Sequence, residues 1–351
     1  MQRPDLSNVD LTIVSYIEFL EKKVGLRPPR SSSTESETLE LSADRASEAL
    51  PAERETSINI ITISRDGLAK RSFRHIYTRQ HRGGMGVFGV DIDSPDYPVT
   101  LASSEDNQNL LLFTNRARAF RMPLQSISQT ALYSRGALIT ERLGLENDEY
   151  LIAVLPEQAK GYVALAAQSG RVRILRHHLF GEHMRPGTAL YNFNEFGTLA
   201  NVCWTSGDAE LFMVTRQGIG IRFSEKSLPP QGDQGIRLSG DDKVVGITPV
   251  YQDSSVFLVS SDGRGTIRQM SGFAPNKSLG GSGKIAIKSN KVINAVTIEP
   301  NDDLILISQL GKVIRFPADE VPLTEGVVQG VNCMGLRGDE VVALLRTGPI
   351  Y

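Results

Sequence analysis

The residues best suited to chemistry in this chain are donors and cations. The run Gln80-His81-Arg82-Gly83-Gly84-Met85-Gly86 sets a charge (Arg82), an imidazole (His81) and a neutral donor (Gln80) among three glycines. Glycines at 83, 84 and 86 let the backbone come close to another backbone or to a phosphate. Arginine also recurs at a fixed place, four residues after a turn position, at Arg71, Arg121, Arg222 and Arg315. Arg173 or Arg176, and Arg268, are the nearby counterparts in two further copies. Arg74, Arg79, Arg116 and Arg118 thicken the first two clusters. A repeated cation on one rim would form a curved positive track. Each phosphate it neutralised would release counterions and add sequence-independent affinity. A curved track also selects bent DNA, and bending a 20–30 bp site costs about 1–6 kcal/mol. The same arginines can also be read as solvated edge charges that keep strands from pairing with strangers.

Other chemistries find no support in the spacing. His177, His178 and His183 have only Glu182 as a nearby acidic ligand and match no standard metal site. Cys203 and Cys333 lie far apart beside apolar residues, so they read as buried thiols. No Walker-type loop, Ser/His/Asp set or carboxylate pair is suggested, and no cofactor is implied. Trp204 reads as core. No apolar run approaches the roughly 20 residues that cross a bilayer, and Met1–Asp5 do not begin a signal peptide. The expected location is the cytoplasm, at the nucleoid.

The net charge of −2 hides an asymmetry. Residues 1–57 hold 7 Lys+Arg and 11 Asp+Glu, whereas residues 58–140 hold 10 and 6. For a polyanion, local patches matter more than the net value. Within the acidic part, Ile13, Ile17, Leu20 and Val24 fall on one face of an expected short helix over 10–24, with Asp10 as N-cap. That helix must pack on its own domain or on another chain. The expected units are thus residues 1–27 with the helix, a flexible acidic linker over 28–57, and a folded body over 58–351.

The body is built from six copies of one unit: an apolar strand, a tight turn and a second strand carrying a basic residue. The copies are Ile60–Phe73, Leu110–Pro123, Val163–Arg176, Leu211–Ser224, Val256–Met270 and Leu304–Pro317. Their turns align at Gly67, Ala117, Gly170, Gly218, Gly263 and Gly311, at intervals of 50, 53, 48, 45 and 48 residues. Glycine takes the positive φ of such turns without a Cβ clash. Where copy two has Ala117, Asn115 is expected to take the left-handed position in a shifted turn. A second glycine follows at Gly86, Gly136, Gly187, Gly235, Gly283 and Gly330, and each unit ends in another apolar strand. So small a sheet cannot bury both faces alone, so the copies must stack or close. The expectation is an all-β, six-bladed disc.

These repeats resemble the C-terminal domain of the gyrase and topoisomerase IV A subunits, over residues 58–347. Copy six carries the order Leu304–Ser308, Gly311–Pro317, Gln329-Gly330-Val331 and Gly338–Ala343. Residues 80–86 are similar to the gyrase A box, Gln-(Arg/Lys)-Arg-Gly-Gly-(Lys/Arg)-Gly, with His81 and Met85 replacing basic residues. The resemblance implies a β-pinwheel that wraps double-stranded DNA, with Gln80, His81, Arg82, Gly83, Gly84 and Gly86 in contact. It also implies that cleavage and ATP hydrolysis reside elsewhere, in parts that carry a catalytic tyrosine domain and an ATPase. Three functions remain open: a DNA-wrapping accessory, a protein-interaction disc whose DNA face has decayed, and a split gyrase subunit that joins a cleavage core, or itself, through residues 10–24.

Overall fold

The computed structural model describes residues 50–251, 254–273 and 279–348. The helix expected over residues 10–24 lies outside these. Each repeat begins with a hairpin, and in repeats two to six its first strand carries an unbroken apolar run, such as Leu110-Leu111-Leu112-Phe113 within Asn109–Thr114. Such runs, rather than an alternating pattern, arise because both faces of these strands are covered by neighbouring blades. Blade one holds, from the axis outward, Pro98–Glu105, Ile58–Ser64, Leu68–Phe73 and Ala137–Leu138. The other five blades repeat this order, which makes six antiparallel sheets in a ring. Apolar clusters fill the spaces between blades, for example Phe113, Leu165 and Phe180 between blades two and three. Burying each such side chain contributes about 1.5–3 kcal/mol. The six inner strands surround an axial cavity of about 480 Å³.

The outermost strand of each blade comes from the next repeat. Thr188–Ala189 completes blade two, Asp233–Gln234 blade three and Lys284–Ile285 blade four. Blade five receives Leu323–Thr324 in parallel and Val331–Asn332 in antiparallel pairing. The last blade takes Val87–Phe88 from repeat one, with Lys312 opposite Phe88 and Val313 opposite Val87. This hand-over closes the ring.

The six turn positions all have positive φ, including Ala117 at 55°. The expected shift of the turn to Asn115 does not occur. The Ala117 N–H donates to Thr114 O at 2.9 Å, just as Gly67 donates to Ser64 O at 3.1 Å. Asn115 instead spans two loops, with Oδ1 accepting Tyr150 N–H at 2.9 Å and Nδ2 donating to Asp148 O at 3.1 Å. Each turn residue's carbonyl then accepts an N–H from the following repeat, as in Ile139 to Gly67 (3.0 Å) and Leu190 to Ala117 (2.8 Å). The last tie runs from Gly89 to Gly311 at 2.9 Å. Repeat four differs from the others at its second glycine. There the residue with positive φ beside the neighbouring strand is Gly232, where a Cβ would stand 2.5 Å from Val172 O. Gly235 itself has no positive φ and donates to Gly170 O at 2.8 Å.

Candidate nucleic-acid interface

The glycine-rich run of repeat one lies against blades five and six. The Gly83 N–H donates to Cys333 O and the Gly335 N–H donates to Gly84 O, both at 2.8 Å. A Cβ at Gly86, whose φ is 69°, would stand 2.5 Å from Val313 O. The side chains turn the same way. The His81 imidazole meets Glu320 Oε1 at 2.7 Å. The Arg82 backbone N–H donates to Glu320 Oε2 at 2.8 Å, while its guanidinium donates to Glu320 O at 2.7 Å and Asn332 O at 3.0 Å. The Gln80 N–H donates to Arg315 O at 2.8 Å. In this conformation residues 80–86 clasp the ring shut, and the groups that were candidates for phosphate are engaged by the last two blades.

The recurring arginines have a parallel explanation. Each pairs with a carboxylate of its own blade: Arg71 with Asp106 at 3.0 Å, Arg121 with Glu157 at 3.0 Å, Arg222 with Glu210, and Arg315 with Asp303 at 2.7 Å. Three of them also reach across a seam to the carbonyls of the next blade's 3-10 turn. Arg71 Nε donates to Ile127 O at 2.9 Å, Arg222 Nη1 to Met270 O at 2.8 Å, and Arg315 Nη1 to Arg74 O at 3.1 Å. They staple blade to blade. The rim track expected from their spacing is corrected accordingly, most plainly at Arg315, which is 1% exposed, Arg268 at 2% and Arg74 at 3%. Closure of blade six onto blade one covers Arg74 and Arg315. Arg268 lies beneath its own blade's 3-10 turn, 5.5 Å from the Phe273 ring.

Arg74, Arg79 and Arg315 are brought together at the seam between blades six and one. Arg79 donates to Asp303 Oδ1 at 2.8 Å. Glu53 enters from the stretch expected as linker and accepts from Arg74 Nε at 2.8 Å and Arg315 Nη1 at 2.5 Å. Arg118 pairs with buried Glu149 and Arg116 with Glu146, both at 2.6 Å. Arg173 donates to the carbonyls of Leu190 (2.8 Å) and Pro230 (3.3 Å), while exposed Arg176 lies 6.0 Å over the Tyr162 ring.

Sequence reasoning missed other cations. Arg142, Lys160, Arg185, Arg216, Lys226, Arg237, Lys243 and Lys288 are exposed and, like Arg176, make no ion pair among the described residues. They fall on the turns and connections of repeats two to five, away from the ring's closing seam. No repeating motif marks them. Six of the eight lack an acid twelve residues upstream, the spacing that pairs Glu210 with Arg222, while Lys160 and Arg237 have Asp148 and Glu225 there without pairing to them. Lys70 is the reverse case: its buried Nζ donates to the carbonyls of Gly89, Ala131 and Leu132, and burial pulls its ammonium down to about 8. Among the described residues no group of three or more His, Cys, Asp or Glu is placed to hold a metal ion, and no helix is long and apolar enough to cross a membrane.

This architecture has known counterparts. The family model for the DNA gyrase C-terminal domain, a β-propeller, matches residues 108–156, 209–250 and 302–347, within repeats two, four and six. The DNA gyrase A subunit of Salmonella typhimurium is 29% identical over 300 residues, which cover 82% of this chain and 34% of that protein. The Staphylococcus epidermidis subunit is 26% identical over 299 residues, covering 81% and 33%. The chain thus spans about a third of the length of these curated relatives. Among solved structures, a DNA gyrase A C-terminal domain superposes with a TM-score of 0.73 at 19% identity, covering 82% of this chain and 99% of that one. A topoisomerase IV C-terminal domain gives 0.60 at 18%, covering 83% and 93%. At these identities the superpositions establish the fold.

Proposed function

We propose that this chain, which belongs to the DNA gyrase A C-terminal-domain family, binds and bends double-stranded DNA without sequence preference and catalyses nothing itself. The observation that carries the reading is the concentration of exposed cations lacking acidic partners between Arg142 and Lys288. A polyanion can meet these residues without breaking an internal ion pair, whereas meeting Arg315 or Arg74 would require opening the ring. DNA would therefore approach repeats two to five first, and the run 80–86 would act by holding the ring closed.

Strand cleavage and ATP hydrolysis belong, in this reading, to partner subunits or to parts of the gyrase A architecture that residues 58–348 do not supply. The chain would then act in the cytoplasm as a DNA-wrapping accessory, joined to a topoisomerase core or to a second copy through residues 10–24. The test is to incubate the purified protein with relaxed plasmid and topoisomerase I, then deproteinise. Constrained supercoils without covalent protein–DNA adducts, with or without ATP and magnesium, are expected. Covalent adducts or an unchanged topoisomer distribution would overturn the reading.

A second reading, a protein-interaction disc, is favoured by one observation: the motif cations at Arg71, Arg82, Arg121, Arg222 and Arg315 are all engaged within the protein.

A further inference from the structure

Where an arginine staples neighbouring blades, it fills the cleft between its own outer hairpin strand and the next blade's 3-10 turn. Seam three–four departs from this. The position equivalent to Arg222 and Arg315 is Ile174, and the position equivalent to Glu210 and Asp303 is Tyr162. Ile267, which stands there at seam five–six, is buried in the core, but Ile174 is only half-buried. The cleft at seam three–four stays open as a groove of about 420 Å³ between Tyr162, Leu179 and Arg176 on one side and Glu225, Leu228 and Pro230 on the other.

Glu225 gives the groove its character. It is 4% exposed and opens the 3-10 turn of blade four. One carboxylate oxygen accepts the Thr205 hydroxyl of blade three, the Gly207 backbone N–H stands beside the carboxyl, and Oε2 makes no hydrogen bond of ordinary geometry. A buried carboxylate oxygen without a donor is costly, and burial raises the pKa of this carboxyl. The groove therefore offers an unsatisfied acceptor in the kind of cleft that an internal arginine occupies elsewhere in the same ring. Arg176 and exposed His178 stand on the opposite wall, where they favour a negative group beside the inserted cation.

We propose that the groove between blades three and four is a docking slot for an arginine of a protein partner, flanked in the partner's sequence by a carboxylate. The guanidinium donates to Glu225 Oε2, the stem packs on Leu228 and Pro230, and the flanking acid faces Arg176. A phosphate backbone cannot satisfy Glu225, so this slot serves a protein partner rather than DNA. It goes beyond the DNA-binding reading and does not depend on it.

The test uses the full chain and two fluorescein-tagged pentapeptides, Ala-Leu-Arg-Asp-Ala and its twin with citrulline in place of arginine, followed by anisotropy. A charge-assisted bond to a buried carboxylate predicts about tenfold tighter binding of the arginine peptide. Glu225→Gln should bring the two peptides to similar affinity. Ile174→Arg supplies the missing side chain from within, so it should abolish peptide binding without lowering the melting temperature, while duplex DNA affinity is not reduced. Equal binding of the two peptides, no saturable binding, or full peptide binding by Ile174→Arg would overturn the proposal. So would a parallel loss of DNA affinity in Ile174→Arg, which would assign the groove to nucleic acid. Loss of DNA binding by the wild type would instead strike the function proposed above.

Discussion

At the scale of single residues, the decisive fact is what each arginine touches. Arg315 is enclosed by Asp303, Glu53 and two carbonyls. Removing one partner of such a buried set leaves an uncompensated charge, so Arg315→Ala should cost about 3–5 kcal/mol in chemical denaturation. Arg121 and Glu157 are each about a quarter exposed, so Arg121→Ala should cost only about 1 kcal/mol. Similar losses from both would mean that the arginines are not graded by burial as described. Lys70 supplies a pH dependence. Its native pKa of about 8 lies below the ordinary 10.5, so between those values the unfolded chain holds a proton that the native one releases. Stability should therefore rise as the pH goes from 8 to 10.5, by at most about 3 kcal/mol. The difference in unfolding free energy between wild type and Lys70→Met, measured at pH 7.5 and 10, should grow in favour of wild type. A constant difference would show that the three carbonyls hold the ammonium at its ordinary pKa.

At the scale of elements, the hairpin tips and the 80–86 run make the structure. Gly86 has positive φ and no room for a Cβ beside Val313 O, whereas a Cβ at Gly84 would meet Gln80 Oε1 at 3.3 Å and His81 O at 3.4 Å. Gly86→Ala should therefore lower the melting temperature by several degrees, at a cost of about 1–2 kcal/mol in backbone strain alone, and Gly84→Ala by less. The reverse order in a thermal melt would contradict the clasp. The hairpins could be read from the sequence because a turn glycine between two apolar runs is a local signal. Ala117 was misread because its left-handed turn is imposed by the ladder and by Leu190 from the next repeat, neither of which is local. The six-fold ring was legible from spacing alone. The partners of the repeated arginines were less so, because Glu210 and Asp303 stand twelve residues upstream and face Arg222 and Arg315 only when the hairpin register is known. The contacts of His81 and Arg82 with Glu320 join residues more than 200 apart, beyond any local pattern.

At the scale of the whole molecule, closure and the proposed DNA contact fall on different arcs of the disc. The seam between blades six and one absorbs Arg74, Arg79 and Arg315, and blades five and six hold Arg82, while repeats two to five keep cations on the surface. In repeat one, Arg71, Arg74 and Arg79 pair with Asp106, Glu53 and Asp303, while Lys70 and the Arg82 guanidinium are held by carbonyls. The measurement that bears most directly on this account is the salt dependence of duplex binding. It compares wild type with a triple variant, Arg176→Gln, Arg185→Gln and Lys226→Gln, none of which breaks an ion pair. For about 4–6 phosphates met, the wild-type slope of log affinity against log salt is expected near −4 to −5, and the triple variant should lose up to about 2.7 of it. An unchanged slope in the triple variant, or a wild-type slope near zero, would contradict the claim that DNA is held by the exposed cations of repeats two to five.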